Sequence, residues 1–364
     1  MIALAIAAAA LVATVPAARI APVRSAPARQ IALPMTIGGR VERHGTTYLR
    51  QWPGTYFEAA FRGRGIGFVV GPGDVHLRIT VDAQPPVSLT KPPPGSYRID
   101  GLAAGAHLVR IDVVSENQGA PTAFGGFFRD AATRPLPPPP PRARQIEFIG
   151  DSHTVGYGNR SPTRDCTDAD VWQTTDTAAG VAGITAARYA ADYRVAAISG
   201  RGIVRNYDGA PGDTVPAAYP FALLDKATRD DDPTWHPAVI VIALGTNDFS
   251  TALKPGERWP TRAALHADYE ATYAAFVARL HARDPQARIV LWATDQAGGE
   301  IAAEVRAVVA RVRAAPDTRI DFVPVAGLRL AGCHFHPDLA DDRAIATALA
   351  GAIDAALPAW APAR

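Results

Sequence analysis

The run Arg134 to Arg144, RPLPPPPPRAR, divides the chain into two stretches of unlike pattern. Proline has no amide hydrogen and a fixed φ, so the run is expected to stay out of sheet ladders and helix interiors as a stiff extended connector. An SH3-type ligand segment is the alternative, and it suits an exported protein poorly. Before the run, apolar residues alternate with period two at Tyr56 to Phe61, Ile66 to Val70, Val75 to Val81, Ser96 to Ile99, Leu108 to Val114 and Phe124 to Phe128. Gly and Pro turns separate these stretches, which read as short strands. Strands so spaced over residues 37–130 predict a β-sandwich of jelly-roll type, a fold that assigns no function by itself. Trp52 and Tyr56 there have two readings, a sugar-stacking surface or packing of the sandwich.

After the connector the pattern becomes strand, helix, strand, helix. Strands are expected at Gln145 to Ile149, Arg194 to Ile198, Val239 to Leu244, Arg288 to Trp292 and Arg319 to Val323, each followed by a helix-compatible stretch. This alternation over residues 145–358 predicts a parallel sheet covered by helices on both faces. A chain of 364 residues accommodates two such cores.

The net charge of +2 leaves no electrostatic footprint for nucleic acid or for an anionic membrane surface. Residues 1–18, MIALAIAAAALVATVPAA, match the apolar region and small-residue cleavage site of a secretory signal peptide, although no Lys or Arg precedes them. The alternative is a membrane anchor, but the continuous apolar run is about fourteen residues where a spanning helix needs about 20. No later segment is apolar enough to span, so the expectation is a secreted or periplasmic protein without a membrane span once the leader is removed.

In an open parallel sheet, ligands sit beyond the carboxyl ends of the strands. Four loops there carry unusual polar or glycine content: Gly150-Asp151-Ser152-His153-Thr154, Ser199-Gly200-Arg201-Gly202, Gly245-Thr246-Asn247-Asp248 and His334-Phe335-His336-Pro337. Ser152 needs a base to act as a nucleophile, and His336 can supply one from across the cleft. Acyl transfer develops charge on a carbonyl oxygen, for which the backbone amides of Ser152 and Gly200 and the side-chain amide of Asn247 would form an oxyanion hole. Glycine at 200 keeps a Cβ out of the way.

The blocks GDSHTVGYG, SGRG, GTND and HP resemble, in order, those of the SGNH (GDSL) hydrolase family over about residues 145–358. The resemblance implies an α/β/α flavodoxin-like core that hydrolyses esters with neither a metal nor an organic cofactor. The longer phrases GDSHTVGYGN and SGRGIVRNYDG, behind a jelly-roll domain, are similar to carbohydrate esterase family two. That similarity implies an acetylesterase acting on xylan, glucomannan or a related acetylated polysaccharide or oligosaccharide. Two alternatives stay open. One is an esterase for a lipid ester, a thioester or peptidoglycan O-acetyl groups, and the other is a non-catalytic carbohydrate-binding protein.

Most members of the family place an Asp three residues before the histidine, where this chain has Cys333, followed by His334. Some relatives resemble this arrangement and use a Ser-His dyad whose imidazole is held by a backbone carbonyl, which implies the same for His336. Asp338, Asp341 and Asp342 read as the start of the last helix, where carboxylates suit the dipole. Asp151 reads as structural, His153 as a cleft or surface residue, and His334 as a neighbour with a possible direct role. Tyr157, Trp172 and Trp292 are either pocket or core residues. His236 and His281 stand apart and are not spaced as metal ligands. Cys166 and Cys333 both flank the proposed cleft, and in an oxidising compartment they are expected to form a disulfide, with two free thiols as the alternative.

Overall fold

The computed structural model describes residues 18–23, 31–314 and 319–361. Residues 1–17 of the expected leader therefore lie outside the described residues, while Ala18 rests against the sandwich core. The N-terminal half is two antiparallel sheets face to face. One contains, in spatial order, Arg19–Pro22, Gly95–Asp100, Ile66–Val70, Thr122–Arg129, Thr47–Arg50 and Glu42–His44, with Ile31–Ala32 paired to the fourth. The other runs Arg134–Pro135, Tyr56–Gly63, Gly105–Val113, His76–Val81 and Val87–Thr90, with Thr36–Gly38 on the second. Inward-facing Phe57, Phe61, Phe68, Ile79, Ile99, Ile111 and Phe124 fill the space between them, as period-two alternation requires.

All six expected strands of this half are present, and further strands lie outside the 37–130 span. The connector behaves differently from expectation. Arg134 and Pro135 pair with Arg62 and Phe61 at the sheet edge, a place where a proline can sit because one side of the strand needs no donor. Further on, Thr36 donates to the Pro139 carbonyl, and the Arg142 amide donates to Asp192 at 2.7 Å. The segment is extended, but it is fastened to both domains.

The C-terminal half contains five parallel strands, β1 (Gln145–Gly150), β2 (Asp192–Ala197), β3 (Val239–Ala243), β4 (Arg288–Thr294) and β5 (Ile320–Val325), in the order 2-1-3-4-5. Their near-continuous apolar runs are buried on both faces, as a covered parallel sheet demands. Helices Arg262–Arg283 and Glu300–Arg313 cover one face through Leu265, Tyr269, Phe276, Val305 and Val308. Helices Val181–Arg188 and Leu339–Ala356 cover the other through Val181, Ala186, Ile345 and Leu349. This is the three-layer flavodoxin-like order, and its direction switches between β1 and β3, where a crevice opens at the carboxyl ends.

Trp52 and Tyr56 follow neither of their expected readings. Trp52 is 1% exposed and packs into the core of the parallel-sheet domain, with its indole N–H donating to the Phe221 carbonyl at 3.0 Å. Tyr56 packs beside Tyr193 and donates to Asp192 at 2.7 Å. Both side chains leave the sandwich and plug into its neighbour. Next to them, buried Arg40 pairs with Glu147 on β1 at 3.1 Å and with Asp230 at 2.8 Å. Among the described residues no helix is long and apolar enough to cross a membrane.

Candidate active site

β1 ends at Gly150, and the chain turns at once into the short helix Ser152–Val155. A Cβ on Gly150 would meet Thr154 Oγ1 at 2.0 Å, so only glycine permits this turn. Asp151 caps the helix by accepting the His153 amide at 3.0 Å, which accords with its structural reading. Ser152 is thereby fixed at the mouth of the crevice, 5% exposed.

His336 arrives from the loop after β5. Ser152 Oγ lies 2.8 Å from His336 Nε2. Among the described residues, the hydrogen-bond partners of His336 Nδ1 are two carbonyl oxygens, that of Cys333 at 2.9 Å and that of His334 at 3.2 Å. A carbonyl can only accept, so Nδ1 carries the hydrogen and Nε2 presents its lone pair to the serine hydroxyl. Burial pushes the imidazole down to about 4, against the upward pull of the two carbonyls. His336 is therefore uncharged across the neutral range, with its Nε2 lone pair free to accept a proton.

The loop that carries His336 is held from several sides. His334 and Phe335 both adopt positive φ, 50° and 60°, a conformation that costs non-glycine residues about 1–2 kcal/mol each. A disulfide joins Cys333 to Cys166 with 5.5 Å between their Cα atoms. Its close fit explains Gly158, where a Cβ would come within 2.6 Å of Cys333 Sγ. The His334 ring accepts from Tyr157 Oη at 3.1 Å and donates to the Cys166 carbonyl at 2.8 Å. His334 thus braces the loop with its ring and the His336 imidazole with its carbonyl.

The three aspartates beyond His336 point away from its ring. Asp338 and Asp341 form a reciprocal capping box at the start of helix Leu339–Ala356, and Asp342 accepts from Asn159 at 2.8 Å. Burial holds the Asp342 carboxyl well above its usual range.

On the opposite wall, Gly200 has φ +80°, and nothing lies within 4 Å of a Cβ built there. The glycine is needed for its backbone conformation, and the space beside it is open cleft. Asn247 projects between the loops, its amide donating to the Arg201 carbonyl at 2.9 Å and lying 3.2 Å from Asp151 Oδ2. Asp248 ties the two glycine-rich loops together by accepting the amides of Ile203, Val204 and Arg205 at 2.9–3.0 Å. Burial pushes the Asp151 carboxyl up to about 7, with Asp248 adding to the rise, and pushes Asp248 up to about 6.

These walls enclose a cleft of about 490 Å³ lined by Ser152, His153, Tyr157, Gly200, Asn247 and His336 among others. His153 lines it but is buried, and burial drives its ring down to about 3. Trp292 lies in the core beneath the cleft, and Trp172 packs on His76 of the sandwich at 6.2 Å under the Lys91 ammonium. Two aromatic rings that no local pattern marks as site residues, Tyr207 and Phe335, stand 54% and 61% exposed at the cleft. Gln118, a sandwich residue, stands in the same wall. Large exposed aromatics are visible only once burial is known, although Tyr207 falls inside the quoted SGRGIVRNYDG phrase. Among the described residues no group of three or more His, Cys, Asp or Glu side chains could hold a metal ion.

Residues 37–139 match the carbohydrate esterase 2 N-terminal family, and residues 148–361 match the GDSL-like lipase/acylhydrolase family. An acetylxylan esterase/glucomannan deacetylase from Cellvibrio japonicus is 43% identical over 323 residues, covering 87% of this chain and 89% of that protein. A solved carbohydrate esterase superimposes with a TM-score of 0.85 at 41% identity, over 91% of this chain and 100% of the other. A family two carbohydrate esterase from Clostridium thermocellum, solved with cellohexaose, gives a TM-score of 0.80 at 26% identity, over 90% of this chain and 100% of that one.

Proposed function

The chain belongs to the GDSL-like lipase/acylhydrolase family and is a carbohydrate esterase, and from that premise we propose that it is a secreted enzyme whose Ser152 and His336 remove O-acetyl groups from an acetylated plant polysaccharide. The 2.8 Å approach of Ser152 Oγ to a His336 whose other nitrogen is committed to carbonyls carries this reading. In the forward step Ser152 Oγ attacks the acetyl carbonyl carbon, and His336 Nε2 takes its proton. The carbonyl oxygen becomes an oxyanion facing the amides of Ser152 and Gly200 and the Asn247 side chain. Collapse breaks the bond to the sugar oxygen, which leaves as a hydroxyl with the proton from His336. Water then attacks the acetyl-serine by the same route and releases acetate.

Xylan and glucomannan are the preferred substrates, since the Cellvibrio relative is named for both activities. The N-terminal apolar run supports secretion or delivery to the periplasm. Acetate release from acetylated xylan, acetylated glucomannan and O-acetylated peptidoglycan, measured for wild type and Ser152→Ala, tests the proposal. Release from the plant polysaccharides that Ser152→Ala loses is the expected result. Equal turnover by both proteins would overturn the mechanism, and a preference for peptidoglycan would overturn the substrate.

A further inference from the structure

A loop of the sandwich reaches the wall of the cleft. Between strands Gly105–Val113 and Thr122–Arg129, the segment Ser115 to Gln118 lies against the loop Ser199-Gly200 that follows β2. Glu116 Oε1 accepts the Ser199 amide at 2.7 Å. Gln118 Nε2 donates to the Ser199 carbonyl at 3.0 Å and to Glu116 at 3.1 Å. Both peptide groups flanking Ser199 are thus gripped from the other domain, and the carbonyl held by Gln118 belongs to the peptide whose nitrogen is that of Gly200.

The grip has a rigid root. Arg50 is buried in the sandwich, and among the described residues no carboxylate forms an ion pair with it. Its guanidinium donates to the carbonyls of Trp52 at 3.4 Å and Ser115 at 3.2 Å, and to the Asn117 side chain. Burial without a compensating charge pulls it down to about 9. Gln51 completes the brace: it donates to the Gln118 carbonyl at 3.0 Å and accepts the Leu224 amide at 2.9 Å. A buried arginine spent on main-chain acceptors fixes a loop rather than a charge pair.

We propose that Glu116 is a positioning residue for ester hydrolysis, holding the Ser199 amide and the Gln118 side chain that grips the Ser199-Gly200 peptide, so that the Gly200 amide points at the developing oxyanion. The proposal rests on the Ser152–His336 reading above. It makes the sandwich part of the reaction's preorganisation, since a donor displaced by about 1 Å is worth on the order of 10² in rate. Gly200 sits at φ +80° with its own carbonyl accepting the Tyr207 amide at 2.8 Å, so the peptide on its amino side is the one that the sandwich orients.

Steady-state kinetics on 4-nitrophenyl acetate with Glu116→Ala, Glu116→Gln, Gln118→Ala and Ser152→Ala, each with a thermal melt, test this. Expected for Glu116→Ala is a kcat lowered on the order of 10²-fold with KM within about two-fold and a melting temperature near wild type. Glu116→Gln keeps an acceptor for the Ser199 amide and is expected to restore most of the rate. Should Glu116→Ala not fold, Gln118→Ala carries the test, with a several-fold lower kcat at unchanged stability as the supporting result. A folded Glu116→Ala or Gln118→Ala with wild-type kcat would overturn the positioning role, as would a loss that tracks the melting temperature and that glutamine does not restore. Loss of turnover in Ser152→Ala beside an unaffected Glu116→Ala sinks only this inference. Turnover retained by Ser152→Ala sinks the Ser-His reading and this inference with it.

Discussion

Cys333 holds His336 twice, its carbonyl 2.9 Å from the imidazole Nδ1 and its sulfur joined to Cys166 across the loop. The residue standing where most relatives place an acid therefore supplies a neutral acceptor and a covalent anchor together. A neutral acceptor fixes the tautomer but leaves the imidazolium formed during proton transfer without a partner charge.

The acid limb of the pH profile follows from this. As the proposed base His336 works as the neutral ring, and burial lowers its pKa to about 4, so it stays uncharged as pH falls below the ordinary histidine value. kcat/KM, followed as quantified acetate, is expected to decline with an apparent pKa of about 4. An acid limb centred at or above about 6.5, the unperturbed histidine value, would refute the buried, carbonyl-held base.

Substitution separates the base from its acidic neighbours. His336→Ala is expected to abolish turnover, whereas Asp338→Asn, Asp341→Asn and Asp342→Asn are each expected to keep kcat within about ten-fold. Those carboxylates are committed to the helix cap and to Asn159, and asparagine is a competent cap. A loss of about 10⁴-fold in any one of them would identify a triad acid.

The opposite wall is tested by Asn247→Ala and Gly200→Ala. Removing one oxyanion donor costs about 10²- to 10³-fold in kcat, which is the expectation for Asn247→Ala. Gly200→Ala meets no steric obstacle, so its effect reads the strain of an L-residue at φ +80°, about 1–2 kcal/mol. Its expected signature is a lower kcat together with a lower melting temperature.

Breaking the crosslink ought to loosen the base. The Cys166→Ser/Cys333→Ser double variant is expected to lose about 2–4 kcal/mol of stability, since the bond closes a loop of 167 residues. A fall in kcat larger than the change in KM is also expected, because Cys333 supplies the carbonyl for Nδ1. Chemical denaturation and steady-state kinetics measure both, and unchanged values in each would relegate the disulfide to a bystander.

Much of this was legible in the chain. Each of the five parallel strands begins and ends within two residues of its expected place, because fully buried strands are continuous apolar runs bounded by turn residues. The site blocks were legible because glycine and polar residues directly after such strands stand out. The places of Trp52 and Tyr56 are not legible in the sequence, for a physical reason. Their partners Phe221 and Asp192 lie 169 and 136 residues away, and local periodicity carries no information about an aromatic that crosses a domain boundary. Glu116 and Gln118 escaped notice on the same ground, in a loop whose composition marks only a turn. The two-residue strands at the sheet edges were too short to show any period at all.

Trp52, Tyr56 and Arg40 also bear on how such chains recombine. With a tryptophan of one half seated in the core of the other, and Glu147 at the first strand of one half paired with Arg40 of the other as well as with Arg283 of its own, the proline-rich segment is a boundary in sequence but not a seam in the molecule. A chimera that takes its sandwich from one relative and its parallel-sheet half from another inherits a socket without its plug unless those positions travel together. The unit that can be exchanged without repair is the whole pair of domains.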